Sequence, residues 1–92
     1  MESKVRYRLY TEDKNPAAVI KLIAARFESA NVASNLTGLW KGQEELSIVI
    51  EIITDDSPET LANVKALAGE IKAANHQEAV LVTAEKVFIE LV

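Results

Sequence analysis

The sequence predicts an α+β fold in which strands and helices follow the order β-α-β-β-α-β, with an extra strand at the C-terminus. Apolar and polar residues alternate over 4–10 and again over 45–54, which is typical of half-buried strands. Two other segments repeat their apolar residues at helical spacing, and each has a proline at its start. These patterns fix the type of the four clearest elements.

The first half of the chain is predicted to form a strand, a helix and a second, weaker strand. The first strand covers 4–10, and the Asn-Pro pair at 15–16 is the usual start of a helix. This helix is expected to run to about Ala30, with its apolar stripe facing the core. The second strand covers 34–40, and its pattern is weak because Gly38 interrupts it.

The second half is predicted to contain a turn, a long strand, a helix and two short strands, at 41–44, 45–54, 58–74, 78–83 and 87–92. Asp56 or Ser57 is expected to cap the helix, with Pro58 at its first position. Asn75 suits the left-handed residue just past the helix end. The final strand follows a turn predicted at 84–86.

Right-handed crossovers turn this order into the ferredoxin-like split βαβ fold. It is an antiparallel sheet in the order 4-1-3-2 with both helices on one face. The 92 residues suffice for one such domain with one core, so we expect a single ferredoxin-like domain over 1–92.

Composition excludes several classes of function. The net charge of −4 argues against nucleic-acid binding, which needs a clustered positive surface. The absence of cysteine excludes disulfides and thiolate zinc sites, and three isolated glycines make no phosphate loop. We therefore expect no cofactor and no metal site. No membrane-length apolar run or signal pattern occurs, so a cytoplasmic protein without membrane association is expected.

The predicted topology brings three loops to one end of the sheet, at 11–15, 40–45 and 75–78. Polar and aromatic side chains concentrate in these loops, and loops on a rigid sheet commonly carry function. The predicted ligand-binding residues are Asp13, Trp40, Lys41, Gln43, Glu44 and His76. Because surface loops are polar with or without a site, a plain polar end of the sheet is the alternative.

Two residues at this end have two interpretations each. Trp40, the only tryptophan, either covers the core beneath the hairpin or stacks on a ligand. His76, the only histidine, either interacts with a helix C-terminus or transfers protons with a carboxylate such as Glu78 or Glu12. His76, Glu78 and Glu12 are therefore the candidate catalytic residues. Gly42 is expected to adopt the positive φ of the hairpin turn.

The sheet face away from the helices is predicted to be partly apolar, because Val49, Ile53 and Leu81 fall on it. Arg6 or Arg8 is expected to pair across strands with Glu51. This face lacks the stacking aromatics of RNA-recognition domains, which share the topology. A partly apolar open sheet on so small a domain favours self-association as a homo-dimer or homo-trimer.

Two segments resemble a known family. The hairpin reads W-K-G-Q-E-E-L-S-I-V-I-E-I-I and the second helix-strand loop reads N-H-Q-E-A-V-L-V. Both are similar to the corresponding parts of the CutA-like proteins, relatives of the PII signalling proteins, although the family's cysteine and its proline before the last strand are absent. The chain also resembles small uncharacterised proteins of phages and their bacterial hosts. The PII-like resemblance implies a trimer with ligands bound between subunits, and it carries over no catalytic residue.

Three functions follow as hypotheses. The first is a small homo-oligomeric binding or regulatory protein whose small-molecule ligand or partner binds at the loop-rich end of the sheet. The second is an acid-base enzyme of lyase or isomerase type that uses His76 and a carboxylate. The third is a phage-type inhibitor whose acidic surface engages a basic host protein.

Overall fold

The computed structural model describes all residues, 1–92, as two helices and one four-stranded sheet. The elements are β1 (Glu2–Glu12), α1 (Pro16–Ala24), β2 (Asn31–Trp40), β3 (Gln43–Thr54), α2 (Pro58–Asn75) and β4 (Leu81–Ile89). The sheet has the order β2-β3-β1-β4 with every neighbouring pair antiparallel. This is the predicted 4-1-3-2 order read from the opposite edge, so the ferredoxin-like fold is confirmed.

Alternate residues of the two central strands build the core. Val5, Tyr7 and Leu9 of β1 face the helices, and three isoleucines of β3 at 48, 50 and 52 lie beside them. The helices contribute the rest of the core with Val19, Ile23, Val64, Leu67, Ala68 and Ile71. The opposite sheet face has no covering element in the chain and is called the open face below.

The first helix is shorter than expected. Its predicted extension to Ala30 is wrong, because α1 ends at Ala24. The backbone N–H groups of Arg26 and Phe27 both donate to the carbonyl of Ile23, at 3.0 and 2.9 Å, so the helix closes in a tightened final turn. The Arg26 side chain donates hydrogen bonds to Glu70 and Asn63 of α2, and these bonds hold the chain away from the helical path.

The extra C-terminal strand is also a wrong prediction. A single strand, β4, pairs with β1 without interruption from Leu81 to Ile89, and the residues expected to turn, 84–86, lie inside the ladder. None of these three residues is a glycine, proline, asparagine or aspartate, so no turn chemistry opposes the extended conformation. The 11-residue length of β1 supplies partners along the whole strand.

The ends of the second helix agree with the sequence to within one residue. Ser57 caps α2 through a capping box with Thr60, as one of the two predicted caps. At the other end His76, with φ of 52°, takes the left-handed position expected of Asn75. Asn75 remains helical because its side chain is buried in a hydrogen-bond network described below.

Neither α1 nor α2 combines the length and the hydrophobicity that a membrane-spanning helix needs.

Candidate ligand-binding groove

The three loops predicted to meet do so, and hydrogen bonds join each to another. The backbone N–H of Asp13 donates to the carbonyl of Leu46 at 2.9 Å, which ties the first loop to the hairpin. The Lys14 ammonium donates to the carbonyl of Asn75 at 3.3 Å, which ties it to the end of α2. One end of the sheet is thereby held together by contacts between segments far apart in sequence.

A groove of about 550 Å³ opens at this end. Its lining combines strand residues of the open face with the loop between α2 and β4: Tyr10, Thr11, Glu12, Lys14, Gly38, Leu39, Trp40, Glu45, His76, Gln77, Glu78, Ala79, Val80 and Leu81. Tyr10 lies opposite Leu81, and Gly38 lies opposite Glu45, so β2, β3, β1 and β4 all contribute. A Cβ at Gly38 would lie 3.1 Å from that of Ser47, so only glycine fits here without displacement.

The hairpin tip reaches across the groove. Lys41 and Gly42, with φ of 51° and 78°, form the two-residue turn, and the positive φ predicted for Gly42 is confirmed. The indole N–H of Trp40 donates to Glu78 Oε2 at 3.0 Å, and the Lys41 ammonium donates to Glu78 Oε1 at 2.9 Å. The bonds from Lys41 and then from Trp40 lower the pKa of Glu78.

The position of Trp40 rules out one of its two interpretations. The residue is 46 % exposed and lies outside the core cluster, so it does not cover the core. Its ring forms part of the groove wall, with the Lys41 ammonium 5.9 Å from the ring centroid. Trp40 is therefore placed to contact whatever occupies the groove.

A buried network centred on Asn75 supports the groove from below. The side-chain amide of Asn75 donates toward Thr11 Oγ1 at 3.2 Å, the Glu12 carbonyl at 3.1 Å and Gln77 Oε1 at 2.8 Å. Thr11 also donates to Gln77, and the Gln77 amide donates to the Ala79 carbonyl at 2.6 Å. These bonds join β1, the end of α2 and the following loop, which fixes the wall that carries His76 and Glu78.

Two carboxyl groups meet inside the groove. Glu12 lies 2.6 Å from the Lys14 ammonium, and this contact lowers the pKa of Glu12. The side chain of Glu45 hydrogen-bonds that of Glu12, and this bond to an acidic neighbour raises the pKa of Glu45. The pKa values of the two neighbouring carboxyl groups are therefore displaced in opposite directions.

Solved structures with the same fold include two kinds of protein. The nitrogen regulatory PII-like protein CPII from Thiomonas intermedia K12, bound to ADP, AMP and bicarbonate, superposes with a TM-score of 0.70 at 11 % identity, covering 99 % of this chain and 97 % of that one. The chain has a PII-like fold. A putative PII-like signalling protein from Thermus thermophilus gives a TM-score of 0.63 at 15 % identity, over 92 % of this chain and 86 % of that one.

The second kind is a phage SAM lyase in its apo state, with a TM-score of 0.65 at 22 % identity, covering 94 % of this chain and 86 % of that one. No protein-family model and no curated protein matches the sequence. The resemblance to PII-like and phage proteins is thus confirmed at the level of the fold.

Within the PII-like fold the predicted site residues separate into two groups. All three candidate catalytic residues, His76, Glu78 and Glu12, line the groove, as does Trp40. Lys41 contacts the groove wall through Glu78. The other three predicted ligand-binding residues, Asp13, Gln43 and Glu44, do not line it, and the last two are exposed.

Other residues of the groove were missed by the sequence analysis. Thr11 continues the alternation of buried β1 residues, so a polar residue in a core position was the available signal. Glu45 was predicted to begin the third strand and was not named as a site residue, because its position near Glu12 follows only from the strand register, which places Ser47 opposite Glu12. No group of three histidine, aspartate or glutamate side chains is arranged to hold a metal ion.

The open face of the PII-like fold continues from the groove along the sheet. Its centre carries a network of alternating charges in which Arg8 Nε lies 3.2 Å from Glu51 and Arg6 Nε donates to Glu85 at 3.0 Å. Arg8 also lies 3.6 Å from Glu85, so each arginine contacts a glutamate of a neighbouring strand. The predicted pairing with Glu51 is confirmed. Apolar side chains surround the network, including Ile53 at 40 % exposure.

Proposed function

We propose that this chain is a homo-oligomeric small-molecule-binding protein of regulatory type, with its ligand in the groove at the loop-rich end of the sheet. The groove itself carries the proposal: its volume lies in the range of small-molecule sites. Its walls combine aromatic and aliphatic surface from Tyr10, Trp40 and Leu81 with polar groups of Glu12 and His76. Such a lining gives a ligand apolar contact area and a few orienting polar groups.

The solved structures supply the class of ligand to test first. CPII was solved with ADP, AMP and bicarbonate, and its fold matches nearly the full length of this chain. An adenine ring has a flat face that stacks on an indole or phenol ring. Trp40 and Tyr10 both offer such a surface in the groove.

The open face supports the homo-oligomer. Its arginines and glutamates are paired with one another, so a second copy could cover this face without leaving an uncompensated charge. The surrounding side chains of Leu36, Ile53 and Leu81 remain at least 38 % exposed in the single chain. Because the groove opens on the same face, a covering copy would border the ligand.

Calorimetric titration with ADP, AMP and SAM tests the binding site. We expect binding of an adenine-containing compound, weakened by roughly tenfold in Trp40→Ala because the ring contact is lost. Glu44→Ala is the matched control, because Glu44 is exposed on the same hairpin and does not line the groove. Equal affinities of Trp40→Ala and the unmodified protein would contradict the placement of the ligand.

A second candidate function is an acid-base lyase that uses the same groove. The observation that favours it is the carboxyl pair, whose pKa values are displaced in opposite directions. In this scheme Glu12 is the base, Glu45 the acid, and His76 a further proton-transfer group at the groove wall. The phage SAM lyase provides the substrate to try first.

Incubation with SAM, followed by chromatography of the products, separates the two candidates. Binding of SAM or ADP without any breakdown supports the binding protein. Breakdown of SAM that is lost in Glu45→Gln and retained in Glu44→Gln supports the lyase. The Glu45→Gln change keeps the size and a hydrogen-bond donor but removes the titrating proton.

A further inference from the structure

The contact between the hairpin tip and Glu78 contains the only side-chain hydrogen bonds and the only ion pair that the tip makes. The tip, defined as residues 39–44, extends beyond the core, and Leu39 is 72 % exposed. Its side chains make hydrogen bonds and ion pairs only with Glu78, through Trp40 and Lys41. The rest of its bonding is the backbone ladder within the hairpin.

Both partners lie on opposite walls of the groove. Trp40 belongs to the wall formed by β2, whereas Glu78 belongs to the loop before β4, and the whole width of β3 and β1 separates those strands. The contact therefore spans the groove. Separation of the two side chains would widen this end of the groove.

The contact is also well suited to reversible opening. The side chains of Lys41 and Glu78 are 67 % and 63 % exposed, so water solvates both when they separate, and such exposed pairs contribute little to stability. The wall on the Glu78 side is by contrast fixed by the buried Asn75 network. A firm wall and a weakly held tip make the tip the part that moves.

We propose that residues 39–44 form a releasable cover over the groove, held shut by the Glu78 carboxylate through Trp40 and Lys41. This inference concerns regulation of access to the groove and rests on the proposed function for its biological meaning. The opening itself is a property of the protein without any ligand, and it is measurable in the absence of one.

Fluorescence of Trp40 reports the state of the cover, since it is the only tryptophan. Glu78→Ala is expected to raise the acrylamide quenching constant roughly twofold, because about half of the ring is shielded in the closed state. About 1 M NaCl should raise quenching in the unmodified protein, where it screens the Lys41 ion pair, and not in Glu78→Ala. Glu44→Ala removes the same charge without touching the contact and should behave as the unmodified protein.

A thiol placed in the groove reports its accessibility. The chain has no cysteine, so Tyr10→Cys supplies a single half-buried thiol in the groove lining, on the open face. Labelling with a bulky maleimide should be roughly threefold faster when Glu78→Ala is added, and unchanged when Glu44→Ala is added. Unchanged quenching in Glu78→Ala would overturn the proposal, and so would increased quenching with an unchanged labelling rate.

These measurements separate this proposal from the proposed function. A cover that opens in both assays while ADP, AMP and SAM fail to bind supports the cover and contradicts the adenine-ligand assignment. Binding of ADP with identical quenching and labelling in all variants supports the binding site and overturns the cover.

Discussion

The two faces of β1 carry side chains of opposite character on one backbone. Val5, Tyr7, Leu9 and Thr11 face the helices and are at most 6 % exposed. The alternate residues at 4, 6, 8, 10 and 12 face the open side and are all only partly buried. The buried face stabilises the monomer, whereas the open face and the groove at its end remain partly accessible to solvent.

The largest expected difference between the two faces concerns single isoleucines of β3. Ile50→Ala removes a fully buried side chain and should lower the free energy of unfolding by about 2–5 kcal/mol. Ile53→Ala, on the open face, should cost less than about 1 kcal/mol in the monomer, because Ile53 is already 40 % exposed. Urea unfolding at low protein concentration measures both. Equal losses would show that the open face is not an uncovered surface.

The hydrogen-bond network around Asn75, which continues the buried face beyond Leu9, should give the next largest effect on stability. Asn75→Ala leaves the Glu12 carbonyl and the side chains of Thr11 and Gln77 without their shared donor, and should cost about 1–3 kcal/mol. Gln43→Ala, at an exposed amide of the hairpin, is the control and should change the unfolding midpoint little. A midpoint for Asn75→Ala equal to that of the control would contradict the role of the network.

The smallest stability effect is expected from the carboxyl pair on the open side. Because the bond to Glu12 raises the pKa of Glu45, the folded state releases the Glu45 proton at a higher pH than the unfolded state does. The stability contributed by this proton is full below the unfolded pKa and is lost as pH rises through the folded pKa. Glu45→Gln should therefore become stabilising by a few tenths of a kcal/mol as pH rises from about 4 to about 8, since exposed charges are screened.

Urea unfolding of Glu45→Gln and of Glu44→Gln across that pH range measures the difference. Glu44 is exposed on the same hairpin and does not line the groove, so Glu44→Gln is the matched control for the loss of one carboxyl. A pH-independent difference between Glu45→Gln and the unmodified protein would contradict the raised pKa of Glu45.

The comparison of faces also explains how much could be predicted from sequence. The alternation in β1 and β3 determines which residues are buried, and the Ser57–Pro58 pair marks the start of α2, so both were predicted. The end of α1 was not, because it depends on Arg26 reaching Asn63 and Glu70 on the other helix. The continuity of β4 was missed for a similar reason, since the partner strand β1 decides it.

In the candidate groove, too, some features could be predicted from the sequence and others depend on contacts between distant segments. Topology alone brings the three loops together, so the positions of Trp40 and His76 at one end of the sheet were predictable. The partner of Trp40 was not, because it depends on how far the hairpin reaches toward Glu78. The pairing of Glu12 with Glu45 likewise requires the register of β1 against β3.

The central claim is that the open face joins copies of this chain and that the groove lies at their boundary. Sedimentation equilibrium at about 100 µM protein tests it most directly, because oligomers form by mass action. We expect the mass of a dimer or trimer, shifted toward the monomer by Ile53→Glu on the open face and left unchanged by Leu61→Glu on the exposed side of α2. A monomer mass for the unmodified protein at this concentration would contradict the account.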